Sequence, residues 1–188
     1  MTEKMEKITV LGFSGSLRKR SFNSALLRAA VELAPATMEL EIAEIGDFPL
    51  YNDDVREAGY PQAVDAVRKR ASAAQGFLFV TPEYNFSTSG VLKNAIDWLS
   101  RPPAAPVVGK PLAVMGATPG MGGTMRAQYH LRQMAVFLDM PVVNKPEVFV
   151  RQAADMFDRD LKLQDESTKK VVGDLLASLE RLVRRYGK

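Results

Sequence analysis

The sequence predicts an α/β fold in which a five-stranded parallel sheet of order 2-1-3-4-5 is covered by helices on both faces. Three observations lead to this prediction. Apolar, β-branched segments alternate with segments whose apolar residues recur at helical spacing. Most strand segments are apolar on both faces, as in a parallel sheet that is buried on both sides. Five such units fit a single domain over residues 1–188, because this length suits one buried core better than two.

The predicted strands and helices alternate along the chain. Strands are predicted at residues 7–14, 38–45, 76–82, 110–120 and 141–150. Helices are predicted at residues 23–34, 61–74, 89–100, 123–138 and 165–186. The second strand alternates strictly between apolar and polar residues, which places it near the sheet edge. The last helix carries one apolar stripe and should therefore pack on the sheet.

The composition excludes several classes of protein. There is no cysteine and only one histidine, so thiolate nucleophiles, iron–sulfur clusters and multi-histidine zinc sites are excluded or nearly so, and no metal ligand is predicted. Redox chemistry would then need an organic cofactor. The net charge of +3 is mild, which favours small anionic ligands over nucleic acid. No apolar run approaches the roughly 20 residues that span a bilayer, and no secretion signal is apparent. We therefore expect a cytoplasmic protein without a membrane partner.

The predicted strand order also indicates where a ligand would bind. In an open parallel sheet the ligand crevice lies outside the carboxyl ends of the strands, at the point where the winding reverses. For the order 2-1-3-4-5 this point lies between the first and third strands. The loops after the first, third and fourth strands, at residues 12–24, 81–90 and 117–123, should meet there, and all three have an unusual composition.

The first of these loops, GFSGSLRKRSFNS at residues 12–24, joins a strand end to a helix start. Backbone N–H groups at a helix N-terminus, several hydroxyls and the guanidinium of Arg18 together suit a phosphate monoester. The loop lacks the Gly-Lys-Ser/Thr element of a Walker loop and the third glycine of a dinucleotide fingerprint. The alternative is that Ser21, Asn23 or Ser24 merely caps the following helix.

The second loop, TPEYNFSTSG at residues 81–90, has the residue types that a planar heteroaromatic ring requires. Pro82 stiffens the backbone where the strand ends, because its ring fixes φ. Tyr84 and Phe86 can supply an aromatic wall for the ring. The alternative is an ordinary turn in which a serine caps the next helix and the tyrosine lies on the surface.

The third loop, ATPGMGG at residues 117–123, is rich in glycine. Glycine lets a backbone approach a ligand closely because it has no side chain and tolerates positive φ. The N–H groups of this loop can face the carbonyls of a heteroaromatic ring, and Thr118 adds a hydroxyl. The alternative is a flexible turn, and the convergence of three such loops on one crevice is what favours a binding site.

Several isolated residues receive structural rather than functional interpretations. His130 lies on a predicted helix without a second ligand candidate nearby in the sequence, so we interpret it as a hydrogen-bonded structural residue. Trp98, at the end of an amphipathic helix, is expected to pack in the core. Asp53 and Asp54 form an acidic pair that we expect to be exposed to solvent.

Four segments together resemble the NADPH-dependent FMN reductase family, and within it the soluble quinone and chromate reductases. They are GSLRKRSFN at 15–23, TPEYN at 81–85, SGVLKNAIDWLSR at 89–101 and the glycine-rich residues 120–123. The resemblance extends from about residue 8 to 150. It implies a flavodoxin-like three-layer sandwich, FMN as the bound cofactor, and NADPH or NADH as the hydride donor.

The resemblance also implies roles for individual residues. The FMN phosphate would be held by Ser16, Arg18, Ser21 and Asn23, with Leu17 and Phe22 in the same loop. The isoalloxazine would be bordered by Pro82, Glu83, Tyr84, Asn85 and Phe86, and its pyrimidine end by Thr118, Gly120, Gly122 and Gly123. Pro119 departs from the family pattern, which leaves open which group meets the pyrimidine edge. Arg101 and Arg18 are the candidates for attracting the phosphates of NADPH or an oxyanion acceptor. No catalytic side chain is predicted, because the reaction takes place at N5 of the flavin.

The implied activity is that of an enzyme that passes hydride from NAD(P)H through FMN to quinones, chromate or similar small acceptors. Members of the family are usually homodimers or homotetramers. One alternative is a nonenzymatic carrier of the flavodoxin type that passes single electrons to a protein partner, although such carriers are typically acidic and this chain is basic. A flavin-free regulatory domain on the same fold is a further alternative, since fold alone does not fix function.

Overall fold

The computed structural model describes residues 6–186. Its strands are β1 (Ile8–Ser14), β2 (Met38–Ile42), β3 (Gly76–Val80), β4 (Leu112–Ala117) and β5 (Val148–Val150). All neighbouring strands pair in parallel, and the sheet order is β2-β1-β3-β4-β5. The predicted strand order is confirmed, and so is the position of the second strand at the sheet edge.

The described residues form seven helices, which include the five that were predicted. They are α1 (Phe22–Leu33), α2 (Asp53–Ala58), α3 (Gln62–Ala73), α4 (Gly90–Leu99), α5 (Met125–Phe137), α6 (Ala153–Met156) and α7 (Glu166–Tyr186). Helices α2 and α6 were missed because they have only 6 and 4 residues, too few to show an apolar period. No helix of the residues 6–186 has the length and apolarity needed to cross a membrane.

All five strands are shorter than the sequence predicts, and the fourth and fifth differ most. The strand predicted at 110–120 ends at Ala117, where the chain leaves the sheet to form the third loop. The strand predicted at 141–150 is reduced to β5, and Val142 makes only an isolated bridge to Leu112. Pro146 lies between this bridge and β5, and a proline cannot donate a hydrogen bond to a sheet ladder.

The hydrophobic core is divided by the sheet into two layers. Helices α1 and α7 pack on one face, and the buried stripe of α7 contains Val172, Leu175, Leu176, Leu179 and Val183. Helices α3, α4 and α5 pack on the other face and contribute Val64, Trp98 and Leu131 among others. Every residue of β3 is buried, as expected for a strand covered on both faces. The predicted three-layer sandwich is therefore confirmed.

The register of the sheet places three strand ends side by side. Ser14 at the end of β1 pairs with Val80 at the end of β3, and Val80 pairs in turn with Met115 near the end of β4. The loops that follow β1, β3 and β4 therefore leave the sheet at one edge. This edge is the position at which ligands bind in doubly wound α/β folds.

Candidate functional site

The loops after β1, β3 and β4 line two adjoining recesses. The smaller, of about 80 Å³, is lined by Ser16, Arg18, Ser21, Phe22, Asn23, Pro82, Glu83, Tyr84, Ala117, Thr118 and Pro119. The larger, of about 460 Å³, is lined by Glu83, Asn85, Phe86, Thr118, Gly120, Met121, Gly122, Thr124 and Arg126. Because Glu83 and Thr118 line both, we treat the two recesses as one crevice. The structure thus brings together all three loops that the sequence singles out.

The start of α1 provides hydrogen-bond donors to the smaller recess. Ser21 caps the helix, because its Oγ accepts from the N–H of Ser24 (3.2 Å). The first N–H groups of a helix lack intrahelical acceptors, so those of Phe22 and Asn23 are available at the recess. The exposed guanidinium of Arg18 and the buried hydroxyl of Ser16 lie beside them. The capping alternative is correct for Ser21, and the same cap leaves an anion site at the helix start.

Asn23 connects the first loop to the third. Its side chain is only 5% exposed, and its amide forms two hydrogen bonds with the backbone of Ala117. Nδ2 donates to the Ala117 carbonyl and Oδ1 accepts from the Ala117 N–H, both at 2.9 Å. The amide therefore holds the start of α1 against the end of β4.

Two of the residues predicted to bind the cofactor lie outside the crevice. Leu17 lines a separate cavity of about 120 Å³ behind the first loop, and a Cβ on Gly46 would lie 3.0 Å from its Cδ2. Gly123 is buried with a φ of +60°, and a Cβ there would lie 2.6 Å from Cβ of Phe149. Leu17 therefore packs towards the segment after β2, and Gly123 allows the third loop to pack on β5.

The second loop folds as a tight turn that presents two aromatic rings. The N–H groups of Tyr84 and Ser87 each donate to the carbonyl of the other residue at 2.9 Å. The two central residues, Asn85 and Phe86, have φ values of 50° and 65°, as in a type I′ turn. Left-handed backbone is uncommon for phenylalanine and is concentrated at ligand sites. Tyr84 and Phe86 remain 49% and 64% exposed, as suits the wall of a site for a planar ring.

Glu83 connects the second loop to helix α5. Its carboxylate accepts hydrogen bonds from the backbone N–H groups of Arg126 (3.1 Å) and Ala127 (3.4 Å), and it forms an ion pair with the Arg126 guanidinium. Thr124, at the N-cap position, instead accepts from Gln128 through its Oγ1 (3.1 Å). Glu83 therefore caps α5 from a different loop, and its negative charge lies at the positive end of the helix dipole.

The third loop is anchored to the segment that follows β5. The Thr118 N–H donates to Val150 O (3.0 Å), and the carbonyls of Thr118 and Gly120 accept from Ala153 (3.0 Å) and Gln152 (3.2 Å). Gly120 is exposed, and a Cβ on it would meet only Thr118 Oγ1 at 3.8 Å. This side of the loop therefore has room for a ligand to approach the backbone closely.

Arg101 lies in a separate groove between α4 and α5, away from the crevice of its own chain. The groove, of about 240 Å³, is lined by Lys93, Ile96, Asp97, Ser100, Arg101, Met134, Phe137 and Leu138. The guanidinium carbon of Arg101 lies 5.0 Å from the centroid of the Tyr51 ring. Within residues 6–186, Nε of Arg101 is buried without a hydrogen-bond partner. One chain alone therefore does not bring Arg101 to the three loops.

The residues that we interpreted as structural have structural contacts. His130 Nδ1 lies 2.9 Å from Ser87 Oγ, and buried Trp98 donates from Nε1 to the Pro49 carbonyl (2.8 Å). Asp53 and Asp54 are exposed. Hydrogen bonds from Arg56 and then Tyr51 lower the pKa of the Asp53 carboxyl to about 2.

The crevice has the chemistry that a flavin mononucleotide requires. One end offers helix N–H groups, hydroxyls and the guanidinium of Arg18 to a phosphate. The other end offers two exposed aromatic rings and an open glycine-rich backbone to a planar heterocycle. This crevice lies at the switch point of a 2-1-3-4-5 sheet, where flavodoxin-like proteins bind FMN. Fold and site together define the class as a flavodoxin-like FMN protein.

Comparison with known proteins identifies the family. Residues 8–155 match the family model described as NADPH-dependent FMN reductase, and the chain belongs to this family. It is 51% identical over 180 residues to an NAD(P)H-dependent FMN reductase of Pseudomonas aeruginosa, which covers 96% of this chain and 97% of that protein. It is 50% identical over 149 residues to a quinone reductase of Escherichia coli strain K12, which covers 78% of each chain.

A solved structure supports the same assignment. The flavoenzyme NAD(P)H:(acceptor) oxidoreductase from Paracoccus denitrificans superposes with a TM-score of 0.87 at 34% identity, covering 95% of this chain and 98% of that chain. These similarities confirm an enzyme that uses FMN with NADPH or NADH as its donor and a small molecule as its acceptor. The prediction of an enzyme rather than a nonenzymatic carrier is therefore confirmed.

Proposed function

We propose that this enzyme reduces quinones, chromate and similar small acceptors at the crevice formed by the three loops. The observation that carries the proposal is the recess of about 460 Å³ beside exposed Tyr84 and Phe86, where a bound flavin ring would stay accessible to a second planar molecule. FMN held in this crevice would supply the chemistry of hydride transfer between NAD(P)H and the acceptor. The similarity to a quinone reductase supports this class of acceptor.

In this proposal the protein binds and orients the cofactor and its substrates, and each loop has one role. The first loop holds the phosphate through Arg18, the hydroxyl of Ser16 and the N–H groups at the start of α1. The second loop places Tyr84 and Phe86 against the ring, and the third loop faces the pyrimidine edge with its backbone and Thr118. Donor and acceptor then reach the same open recess in turn.

Arg18→Ala tests the phosphate end of this site. A charge-assisted hydrogen bond contributes about 1.5–3 kcal/mol, so the variant should bind FMN roughly 10- to 100-fold more weakly. Quenching of flavin fluorescence during titration of the apoprotein measures the affinity. Arg20→Ala is the matched control, because the Arg20 guanidinium donates to the Arg159 carbonyl (2.8 Å) and Arg20 lies outside the two recesses.

Riboflavin makes the Arg18 experiment specific. Riboflavin lacks the phosphate, so its affinity should be the same for Arg18→Ala and for the unaltered protein. An equal loss of affinity for riboflavin and FMN would show that Arg18 supports the loop rather than the phosphate, and would contradict the proposed site.

We also propose that the enzyme works as a homodimer or homotetramer. The end of α5 exposes Val136 and Phe137 at 81% and 85%, beside the groove between α4 and α5. Large exposed apolar side chains grouped next to a groove are typical of protein interfaces. Phe137→Glu should therefore lower the mass in light scattering after gel filtration, whereas Val31→Glu on α1 should not. A monomeric parent protein would contradict this proposal.

Arg101 remains the proposed residue for attracting the phosphates of NADPH, and its position ties that role to assembly. Because it lies in the α4–α5 groove, it can meet a bound nucleotide only across a subunit contact.

We propose further that residues 1–188 act as one flavodoxin-like unit, since all five strands form one sheet. A cytoplasmic location is proposed because NAD(P)H is a cytosolic metabolite, and cell fractionation tests it.

A further inference from the structure

One ion pair lies inside the crevice and spans two of its loops. Glu83 after β3 pairs with Arg126 at the start of α5, and both line the larger recess. The Glu83 side chain is 9% exposed and that of Arg126 is 45% exposed. The carboxylate is held in place by the N–H groups of Arg126 and Ala127. It is therefore a fixed countercharge for the guanidinium.

Arg126 nevertheless lines the recess through which an acceptor would reach the flavin ring. Its guanidinium carbon lies 3.7 Å from the centroid of the Phe86 ring, so the cation packs against the aromatic wall of the recess. The other arginine at the crevice, Arg18, lines the smaller recess, where the FMN phosphate would neutralise it. The charge that an acceptor meets in the larger recess is therefore set by Glu83 and Arg126 together.

We propose that the Glu83–Arg126 pair gives this enzyme a preference for neutral planar acceptors over anionic ones, because Glu83 masks the positive charge of Arg126. An anionic acceptor has to compete with a carboxylate that is already hydrogen-bonded to the guanidinium and to the helix start. A neutral quinone can enter the same recess without disturbing the pair. The inference rests on the proposed function and names Glu83 and Arg126 as the residues that determine acceptor charge.

Two substitutions and their combination test this specificity. Glu83→Gln keeps the shape and one acceptor oxygen for the α5 N–H groups but removes the negative charge. Arg126→Met removes the cation and keeps an apolar side chain near Phe86. Glu41→Gln is the matched control, because Glu41 also pairs with an arginine, Arg70 (2.7 Å), on β2 away from the crevice.

The readout is the ratio of kcat/KM for 1,4-naphthoquinone-2-sulfonate to that for 1,4-naphthoquinone at low salt. Unmasking one charge should raise this ratio about tenfold in Glu83→Gln, mainly through KM, and salt should suppress the gain. The ratio should fall about tenfold in Arg126→Met, where Glu83 is left unpaired. It should return close to the parent value in the double variant and stay unchanged in Glu41→Gln.

A binding measurement separates this inference from the proposed function. The dissociation constant of the sulfonate for the oxidised FMN-loaded protein, from perturbation of the flavin spectrum, should fall about tenfold in Glu83→Gln. If the parent holds FMN but reduces neither quinone, the proposed function fails while this constant still tests the pair. The inference would be overturned if neither the ratio nor the dissociation constant changed in either single variant. It would also be overturned if kcat/KM fell in parallel for both acceptors because the variants had lost FMN.

Discussion

Asn23→Leu is expected to lower the free energy of unfolding by about 2–4 kcal/mol. The substitution keeps the side-chain size but removes both hydrogen bonds to Ala117. Ala117 is a buried residue that is only 3% exposed. A buried N–H and a buried carbonyl would then lack partners, and each such group costs about 1–3 kcal/mol. Urea denaturation of the apoprotein measures the loss. FMN affinity should fall as well, because α1 and the third loop are no longer held together.

Asn94→Leu is the control for this prediction. Asn94 makes a similar pair of backbone hydrogen bonds, accepting from the Tyr51 N–H (2.8 Å) and donating to the Pro49 carbonyl (2.9 Å). Asn94 is partly exposed, so water can replace its hydrogen bonds and the loss should be below about 1 kcal/mol. Equal losses for the two variants would contradict the role given to Asn23.

Gly116→Ala is the second substitution with a large expected effect. A Cβ on Gly116 would overlap the carbonyl oxygen of Thr81 and Oγ1 of Thr124. The first is backbone at the end of β3, and the second belongs to a fully buried residue with a φ of 65°, so neither can move easily. Because overpacking of a fixed core costs about 1–3 kcal/mol and sometimes more, we expect a loss of about 3 kcal/mol in thermal or urea unfolding.

Gly173→Ala shows whether that loss is specific to the crowded position. Gly173 lies in α7, and a Cβ there meets nothing within 4 Å among the described residues. Alanine is favoured over glycine in a helix by about 1 kcal/mol, so this variant should be as stable as the parent or more stable. A Gly116→Ala protein as stable as Gly173→Ala would mean that β3, β4 and α5 are not packed as described.

These substitutions act on contacts that hold the crevice in shape. Asn23 joins the first loop to the third, and Glu83 joins the second loop to α5. Gly116 allows β4 to pack closely against Thr81, where the second loop begins, and against Thr124, where α5 begins. Each loop is therefore held by an element other than the strand that it follows. A site held in this way is preorganised for its ligand, which limits the conformational entropy lost on binding.

The sequence predicts the architecture well because its signals are local. Alternating apolar strands and amphipathic helices determine the class of fold, and the sheet order then places residues 12–24, 81–90 and 117–123 at one edge. The capping of α1 by Ser21 also follows from a local pattern. The short helices α2 and α6 lie below the length at which periodicity is visible.

The hydrogen bonds and the ion pair that hold the site together could not be predicted, because the paired residues are distant in sequence. Asn23 and Ala117 are 94 residues apart, and Glu83 and Arg126 are 43 apart. A sequence pattern identifies Asn23 and Glu83 as polar loop residues. It does not indicate that their side chains form hydrogen bonds with other parts of the protein. Arg101 is the last residue of a family-like segment, yet the end of α4 directs it to the α4–α5 groove.

The most direct test of the proposed reaction is the visible spectrum of the FMN-loaded protein before and after anaerobic addition of NADPH. We expect the flavin absorption bands to bleach with NADPH and to return when a quinone is added, because in the proposed reaction NADPH reduces the flavin and the quinone oxidises it again. Flavin that stays oxidised with both NADPH and NADH would contradict the proposed reaction, and a protein that takes up no FMN would contradict the site itself.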